Sequence, residues 1–335
     1  MLKIFFLLAG FALLGLSACV TTATGLSTPD GPLAIEAQQV PLNLDDPAQQ
    51  QVGQLIYRGG LHLTSASGRF GGISGLRWNE ARGQLLAITD AGDWLWLTPT
   101  EKDGRLIGIA SAELGALPTA SGAGHDKGAR DAEAVTAFGS NLYAVAFERN
   151  HRVEAFDFSA GAPVNVAVPP TLQFGADWFA LQEDNGGTEA MVLAEAGRQP
   201  MGIALSERAQ NSGGHARAVT RLVEADGSIR SANETIAIAD PFSPTDMDVA
   251  SDGRILVVAR SFSPLEGVAA EIHLLRDLSR DGDTDRLAVL RPPLSVDNFE
   301  GLAVREEGGR TMLYLVSDDN FSGLQRTLLL KFELP

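Results

Sequence analysis

The chain has 335 residues, 44% of them hydrophobic, so it can bury a full core as one large domain or two ordinary ones. Its 42 acidic and 26 basic residues give a formal net charge of −16. This balance excludes the basic face that a nucleic-acid-binding protein needs, so we expect no nucleic-acid partner. It also disfavours bare anionic substrates, unless a cation bridges them to the protein.

The first 18 residues are typical of a signal peptide, with a cationic start and an apolar run at 4–16 that is too short to span a bilayer. The following segment, Leu16-Ser17-Ala18-Cys19, resembles the lipobox of bacterial lipoproteins, and Cys19 is the only cysteine. The resemblance implies cleavage before Cys19 and acylation of that residue; the alternative is an ordinary secretory signal. Val20 at the next position favours sorting to the outer membrane, facing the periplasm.

Residues 19–50 contain no aromatic residue and no Lys or Arg after the cysteine, and are rich in Thr, Pro, Gln and Ala. Such a composition predicts a flexible, lipid-anchored linker. From residue 51 to residue 335 the pattern changes to short alternating apolar runs separated by Gly, Asp-Gly and Asn turns. This pattern predicts one all-β domain.

A repeated pattern organises this domain. A polar lead residue, a strand, a turn and a second strand recur five times, with lead positions at Ser74, Glu133, Asp177, Thr245 and Glu300. Repeats of this length fit four-stranded antiparallel blades of a β-propeller better than a β-sandwich. We expect five or six blades, because a sixth could lie between 177 and 245 or combine residues 51–64 with the C-terminal strand.

Two turns provide a check on this interpretation. Asp252-Gly253 and residues 139–141 (GSN) each separate a lead strand from a second strand, and both contain residues that tolerate positive φ. The propeller hypothesis predicts that they are equivalent hairpin turns of two blades.

The innermost strands of a propeller line its channel, so the repeated strand ends should converge at one mouth. Carboxylates gathered there repel each other unless a cation or arginines neutralise them. Oxygen ligands without cysteine favour Ca²⁺ or Mg²⁺, and Arg149 and Arg260 suit a phosphate or carboxylate group. The alternative is that these acids cap backbone amides and fasten the blades together. His125 lies in a Gly-rich loop before Glu133, where it could contact a substrate or act as a base.

Several of these segments resemble a known family. They are RDAEAV at 130–135, FERN at 147–150, RSFSP at 260–264, NFEGL at 298–302 and SDDNF at 317–321. Over about residues 70–332 the chain resembles the phytase-like domain, also described as "esterase-like activity of phytase". The resemblance implies hydrolysis of a phosphoester or related ester. Relatives often carry glutamate where this chain has Ala259.

The resemblance implies the acidic residues of the mouth, and the residue types and positions add His125, the arginines and a divalent cation, expected to be calcium, as cofactor. The expected catalytic residues are Glu133, Glu300, Asp318 and His125. The expected substrate contacts are Arg149, Arg260 and Arg130. The expected metal ligands are Asp90, Asp131, Glu148, Glu195 and Asp319.

We expect a monomer that acts on a small ester or phosphoester and is attached to the membrane through Cys19. Two alternatives remain open at this stage. One is a non-catalytic periplasmic propeller that binds a ligand or protein at the same mouth. The other is a Ca²⁺-dependent lactonase-type propeller.

Overall fold

A computed structural model describes residues 30–118, 127–196, 199–211, 213–224, 226–276 and 282–335. The predictions for residues 1–29, including Cys19, and for His125 concern positions outside the described residues. Among the described residues, no helix is long and apolar enough to span a bilayer.

The described chain is built almost entirely from strands, which form five sheets. Four strands precede the first complete repeat: β1 (Gly31–Pro32), β2 (Glu36–Gln39), β3 (Gln51–Val52) and β4 (Leu55–Thr64). Blade one comprises β5 (Ile73–Asn79), β6 (Gln84–Thr89), β7 (Asp93–Lys102) and β8 (Arg105–Ala116). Blade two comprises β9 (Ala132–Ala137), β10 (Leu142–Phe147), β11 (Arg152–Asp157) and β12 (Val164–Val166).

The remaining blades follow the same order. Blade three comprises β13 (Thr188–Ala196), β14 (Gln199–Gln210), β15 (His215–Val223) and β16 (Ile229–Ala239). Blade four comprises β17 (Ser243–Val249), β18 (Ile255–Ser263), β19 (Gly267–Leu275) and β20 (Thr284–Leu290). Blade five contains β21 (Asn298–Glu307), β22 (Arg310–Asp318) and β23 (Thr327–Leu334). Three single-turn helices complete the described structure: α1 (Lys127–Arg130), a 3-10 helix (Pro170–Leu172) and α2 (Ala176–Phe179).

The protein is therefore a five-bladed β-propeller, which confirms the predicted fold and settles its blade number. Strand β4 supplies the fourth strand of blade five by pairing with β23, so that Tyr57 lies opposite Phe332 and Gly60 opposite Leu330. The segment from 51 to 64 thus completes the fifth blade with the C-terminal strand instead of building a sixth.

The predicted linker is wrong for its described part. Within residues 30–50, β1 pairs with β8 and β2 pairs with β4, and Leu33 and Leu42 are buried. An added edge strand is held largely by backbone hydrogen bonds, which do not require apolar side chains. Polar composition therefore concealed two ordered strands, and the folded body extends back at least to Asp30.

The predicted lead strand at Asp177 is also wrong. Residues 176–179 form α2, which follows Gly175 with a φ of 82°. Trp178 is buried in the core, and its indole Nε1 donates a 2.8 Å hydrogen bond to Thr188 Oγ1. Helix α2 therefore packs against blade three through Trp178, and the lead strand of that blade is β13.

The two predicted turns are confirmed. Asp252-Gly253 joins β17 to β18, and residues 139–141 join β9 to β10, each between the first and second strands of a blade. Gly253 has a φ of 85°, as such a turn permits.

Arg77, from the lead strand of blade one, fills the propeller axis below the mouth. Its side chain is 2% exposed and pairs with Asp246 of blade four through contacts of 2.9 and 3.0 Å. The same guanidinium donates to the carbonyls of Met191 (3.0 Å), Met247 (2.7 Å) and Leu302 (2.9 Å). One side chain therefore joins the inner strands of blades one, three, four and five.

Candidate active site

A β-bulge occurs at the same place in every blade. In each, the pairing between the first and second strand skips one residue near the start of the first strand. The five bulged residues are Ser74, Glu133, Glu189, Thr245 and Glu300. A bulge bends the strand and re-aims the extra side chain. Except for Thr245, whose hydroxyl donates to the carbonyl of Phe299 at 2.8 Å, these side chains line one central cavity.

The second strands contribute a matching set. Immediately on the mouth side of each bulge, one residue of the first strand pairs with one residue of the second strand. The next residue along the second strand is equivalent in all five blades: Asp90, Glu148, Glu207, Arg260 and Asp318. All five line the same cavity. Arg260, not Ala259, thus occupies in blade four the place that Glu148 holds in blade two, so one carboxylate of this ring is replaced by a guanidinium.

The cavity is small, about 170 Å³, and strongly acidic. Its lining includes eight carboxylates: Asp90, Asp131, Glu133, Glu148, Glu189, Glu207, Glu300 and Asp318. Only three cationic side chains line it: Arg149, Arg208 and Arg260. The arginines cannot neutralise all eight acids, so the site needs protons or a cation to balance the excess.

The arginines are held by particular carboxylates. Arg260 Nε donates to Glu300 Oε1 at 2.7 Å, and its Nη2 lies 3.3 Å from Glu207 Oε1. Arg208 pairs with the same Glu207 at 3.0 Å. Arg149 pairs with Asp131 and keeps 41% of its side chain exposed at the opening.

Two glutamates have no such partner. Glu133 and Glu189 form no hydrogen bond or ion pair with any described residue, although Glu189 is only 7% exposed. Burial raises the pKa of both carboxyls well above the usual range, and neighbouring acids, Glu148 among them, raise it further. These side chains have unused acceptor oxygens that face the cavity.

Other carboxyls at the mouth are perturbed in the same direction. Burial raises the pKa of Glu148 to about 7, with Asp131 adding to the shift. Burial raises the pKa of Glu300 to about 7 despite Arg260, and that of Asp318 to about 8. Groups that titrate near neutral pH are suited to proton transfer.

A hard cation fits this donor set. One oxygen from each of Asp131, Glu133 and Glu148 lies within 4.8 Å of the others. Glu133 has free acceptor atoms, and the surrounding charge is in excess. Oxygen-only, multiply charged sites favour Ca²⁺ or Mg²⁺.

The backbone around the mouth is strained. Among the described residues, four other than glycine have positive φ. Asp103 belongs to a hairpin turn before Gly104, whereas Arg149 (57°), Asn320 (49°) and Phe321 (49°) all lie at the mouth. Such conformations cost on the order of 1–3 kcal/mol each and concentrate at functional sites.

The structure brings together most of the predicted site residues. Glu133, Glu300 and Asp318, expected to be catalytic, line the cavity with Arg149 and Arg260. The expected ligands Asp90, Asp131 and Glu148 line it too. The predicted convergence of distant strand ends at one mouth is therefore confirmed, whereas their chemical roles stay predictions.

Three predicted residues lie elsewhere. Arg130 donates to the carbonyl of Gly92 at 2.8 Å and lies 3.4 Å from Asp93, where it fastens blades. Asp319 accepts bonds from the amides of Gly72 and Phe321 and the hydroxyl of Thr327, and so acts as a cap.

Glu195 lies at the far end of β13 and is exposed. A lead strand at Asp177 would make the strand that ends near Glu195 a second strand, whereas β13 is the lead strand of its blade. A lead strand runs away from the mouth, so its last residues lie at the opposite face.

Glu189, Glu207 and Arg208 were missed, although the sequence contains signals for them. The bulged positions 74, 133, 189, 245 and 300 are separated by 59, 56, 56 and 55 residues, more regular than the predicted series. In addition, Glu207-Arg208 repeats the dipeptide Glu148-Arg149 one blade later.

Substitution Gly72→Ala is expected to disturb the mouth. Gly72 has a φ of 62°, and an added Cβ would lie 2.2 Å from Asp90 Oδ1 and 2.5 Å from the Phe321 ring. The matched control is Gly83→Ala, with a φ of 64° and no atom within 4 Å of the new Cβ. Both variants have the same backbone strain, so we expect Gly72→Ala to be less stable than the control by about 1–3 kcal/mol. Equal urea midpoints for the two variants would contradict this.

The metal-free protein is expected to lose stability as pH rises from about 5 to 8. The folded-state pKa values of Glu148, Glu300 and Asp318 exceed the value of about 4 for unfolded carboxyls. The folded state therefore binds more protons in this range, and the free energy of unfolding falls as they are lost. Melting temperatures with a chelator should show this slope, and Ca²⁺ should flatten it by raising stability most at pH 8. A slope that Ca²⁺ leaves unchanged would argue against cation binding at the mouth.

A comparison with known protein families gave a match over most of the chain. The model of the family described as "Phytase-like: Esterase-like activity of phytase" matches residues 68–321. A search of the curated proteins found no match.

Solved structures similar to this chain have varied descriptions. One is a thermostable family-43 glycoside hydrolase (12% identity, TM-score 0.48, 80% of this chain and 91% of that one). Another is a gluconolactonase from Xanthomonas campestris (10%, 0.40, 92% and 98%). A third is the β-propeller domain of Cps50 (Swd1) from Myceliophteria thermophila (11%, 0.39, 92% and 100%). At these scores the similarity bears on neither activity nor ligand.

Proposed function

Since this chain belongs to the phytase-like family, we propose that it hydrolyses an ester bond, of a phosphoester or a related ester, at the mouth of the propeller. The observation that carries the proposal is the convergence of equivalent bulged residues from the blades onto one acidic cavity. A purely structural set of caps would have its acceptors satisfied, whereas Glu133 and Glu189 have none of theirs satisfied by described residues.

The exposure, ion pairs and pKa of each cavity residue indicate its role in the proposed reaction. Arg149, with 41% of its side chain exposed, is placed to contact an anionic group at the opening. Arg260 is fixed by Glu300 and Glu207 and would orient a group deeper in the cavity. Glu300, whose pKa is raised to about 7 by burial, is suited to accept or donate a proton during the reaction.

Asp131, Glu133 and Glu148 would hold a divalent cation, which we propose to be Ca²⁺. When bound, such a cation polarises an ester oxygen and lowers the pKa of a bound water. It would also offset the carboxylate excess that otherwise repels an anionic substrate.

The cavity size limits what enters. About 170 Å³ accommodates a reacting group, such as one phosphoryl or acyl group, and leaves the rest of the substrate outside. We therefore propose that the substrate carries one phosphoryl or acyl group of low charge. A compound with several phosphate groups fits this cavity less well.

A substrate panel tests the activity. Chromogenic phosphomonoesters, phosphodiesters, carboxylic esters and lactones should be assayed with Ca²⁺, with Mg²⁺ and with chelator. We expect cation-dependent turnover of at least one phosphoester or ester. Turnover confined to lactones would favour the lactonase-type alternative. Cation-dependent stabilisation without any turnover would contradict the proposal and favour the non-catalytic binding propeller.

We also propose that the protein is an outer-membrane lipoprotein, anchored through Cys19. Substitution Cys19→Ser is expected to abolish membrane attachment, because acyl chains at this residue are the proposed anchor. Fractionation of envelope proteins, with the mature size checked by mass spectrometry, measures this. A variant of mature size that stays with membranes after a wash that removes peripherally bound proteins would refute the anchor.

A further inference from the structure

The described chain begins on the mouth face of the propeller. Strand β1 is antiparallel to β8, with Gly31 opposite Leu114, and β8 ends with Ala116 opposite Asp93 at the mouth end of blade one. Asp30 pairs with Arg69 at 3.0 Å, and Arg69 pairs with Asp93 at 2.8 Å. Whatever precedes Asp30 therefore leaves the fold on this face.

The same face presents large hydrophobic side chains to solvent. Second strands run toward the mouth, so the loops that follow Arg260 and Asp318 lie on the mouth face, in adjacent blades. The first carries Phe262 (69% exposed) and Leu265 (98%). The second carries Phe321 (48%) and Leu324 (97%). Leu265 and Leu324 are the two most exposed large hydrophobic residues of the described chain.

The length of chain before Asp30 limits where this face can lie. Cys19, the proposed acylation site, is eleven residues before Asp30. A fully extended chain covers at most about 3.6 Å per residue, so these residues span no more than about 40 Å. Because the anchor leaves from the mouth face, its point of departure lies within about 40 Å of the bilayer.

We propose that the mouth face docks on the lipid surface, with Phe262, Leu265, Phe321 and Leu324 inserted at the interface. Phe and Leu side chains bind favourably at the boundary between the lipid headgroups and the acyl chains. The acidic cavity and the net charge of −16 give no attraction to anionic lipids, so the apolar loops and the anchor carry the contact. Docking places the cavity opening against the headgroup layer.

Site-specific fluorescence tests this without any assay of turnover. The full chain, acylated at Cys19, is reconstituted in vesicles of phosphatidylcholine and phosphatidylethanolamine. Single substitutions Leu265→Cys and Leu324→Cys then provide the only free thiol for an environment-sensitive label. The matched controls are Val164→Cys and Ile229→Cys, exposed apolar positions (55% and 39%) at the starts of β12 and β16 on the opposite face.

We expect the labels at 265 and 324 to be quenched by brominated lipids and to be several-fold less accessible to aqueous iodide than those at 164 and 229. Equal iodide accessibility at all four positions, or quenching by lipid on the opposite face, would overturn the proposal. Exposed positions rarely affect folding, and unchanged melting temperatures would verify this. Because the readout is docking, its failure would leave the proposed hydrolase activity untouched.

Discussion

Substitution Glu300→Gln is expected to lower kcat/KM for ester hydrolysis by at least ~10²-fold, the scale of losing one preorganised charged group. Glu300 is 8% exposed, accepts a bond from Arg260 at 2.7 Å and another from Asn298 at 2.8 Å. Glutamine keeps the shape and removes the charge. It leaves Glu207 as the only carboxylate paired with Arg260 and removes a group that titrates near neutral pH.

The matched control is Glu195→Gln, an exposed carboxylate at the far end of β13, which should leave kinetics unchanged. The pH profile and the Ca²⁺-induced rise in melting temperature should both change for Glu300→Gln, which a merely structural role would not require. Unchanged turnover together with an unchanged response to Ca²⁺ would make Glu300 a structural cap for Arg260.

Substitution Arg77→Met is expected to reduce the free energy of unfolding by about 3–5 kcal/mol, the usual cost of removing one partner of a buried ion pair. The Asp246 carboxylate, fully buried, would keep only backbone donors such as the amides of Leu302 (2.7 Å) and Met247 (2.8 Å). Four inner-strand carbonyls, that of Met191 among them, would lose their shared donor as well. Urea unfolding with a two-state check measures the change.

Two further variants sharpen this result. The double substitution Arg77→Met with Asp246→Leu removes both charges and should recover part of the loss. Arg276→Met removes the cation of an exposed Arg276–Asp285 pair and should cost at most about 1 kcal/mol. An Arg77→Met loss no larger than that of Arg276→Met would show that the axis is held by other contacts.

The propeller could be predicted from sequence because its signals are local. Alternating apolar residues, turn glycines and the polar lead residue all lie within one blade, as at Glu133 and Glu300. The lead strand of the third blade was predicted wrongly because Trp178 and Phe179 are residue types common in strands, although here they lie in a helical turn. Glu189 was lost with it, and Glu195 was displaced to the wrong end.

Other parts of the site depend on contacts between blades. Nothing near Arg77 in sequence indicates that Asp246, 169 residues away, is its partner. Likewise, Asp318 and Asp319 are neighbours in sequence but have different contacts, because their side chains point in different directions where the strand ends. Asp318 faces the cavity, whereas Asp319 caps the amide of Gly72.

The pairing of β4 with β23 fixes the order in which the molecule can assemble. Gly60 and Leu330 are 270 residues apart, so the ring closes by one of the longest-range contacts in the chain. A chain that emerges N-terminus first presents β4 long before its partner exists, and contacts of such separation form slowly. Until then β4 and β22 each have an unpaired edge, which invites association with other chains. Strand β23 therefore closes the ring, and a protein that lacks this strand would be prone to aggregate even with every mouth residue in place.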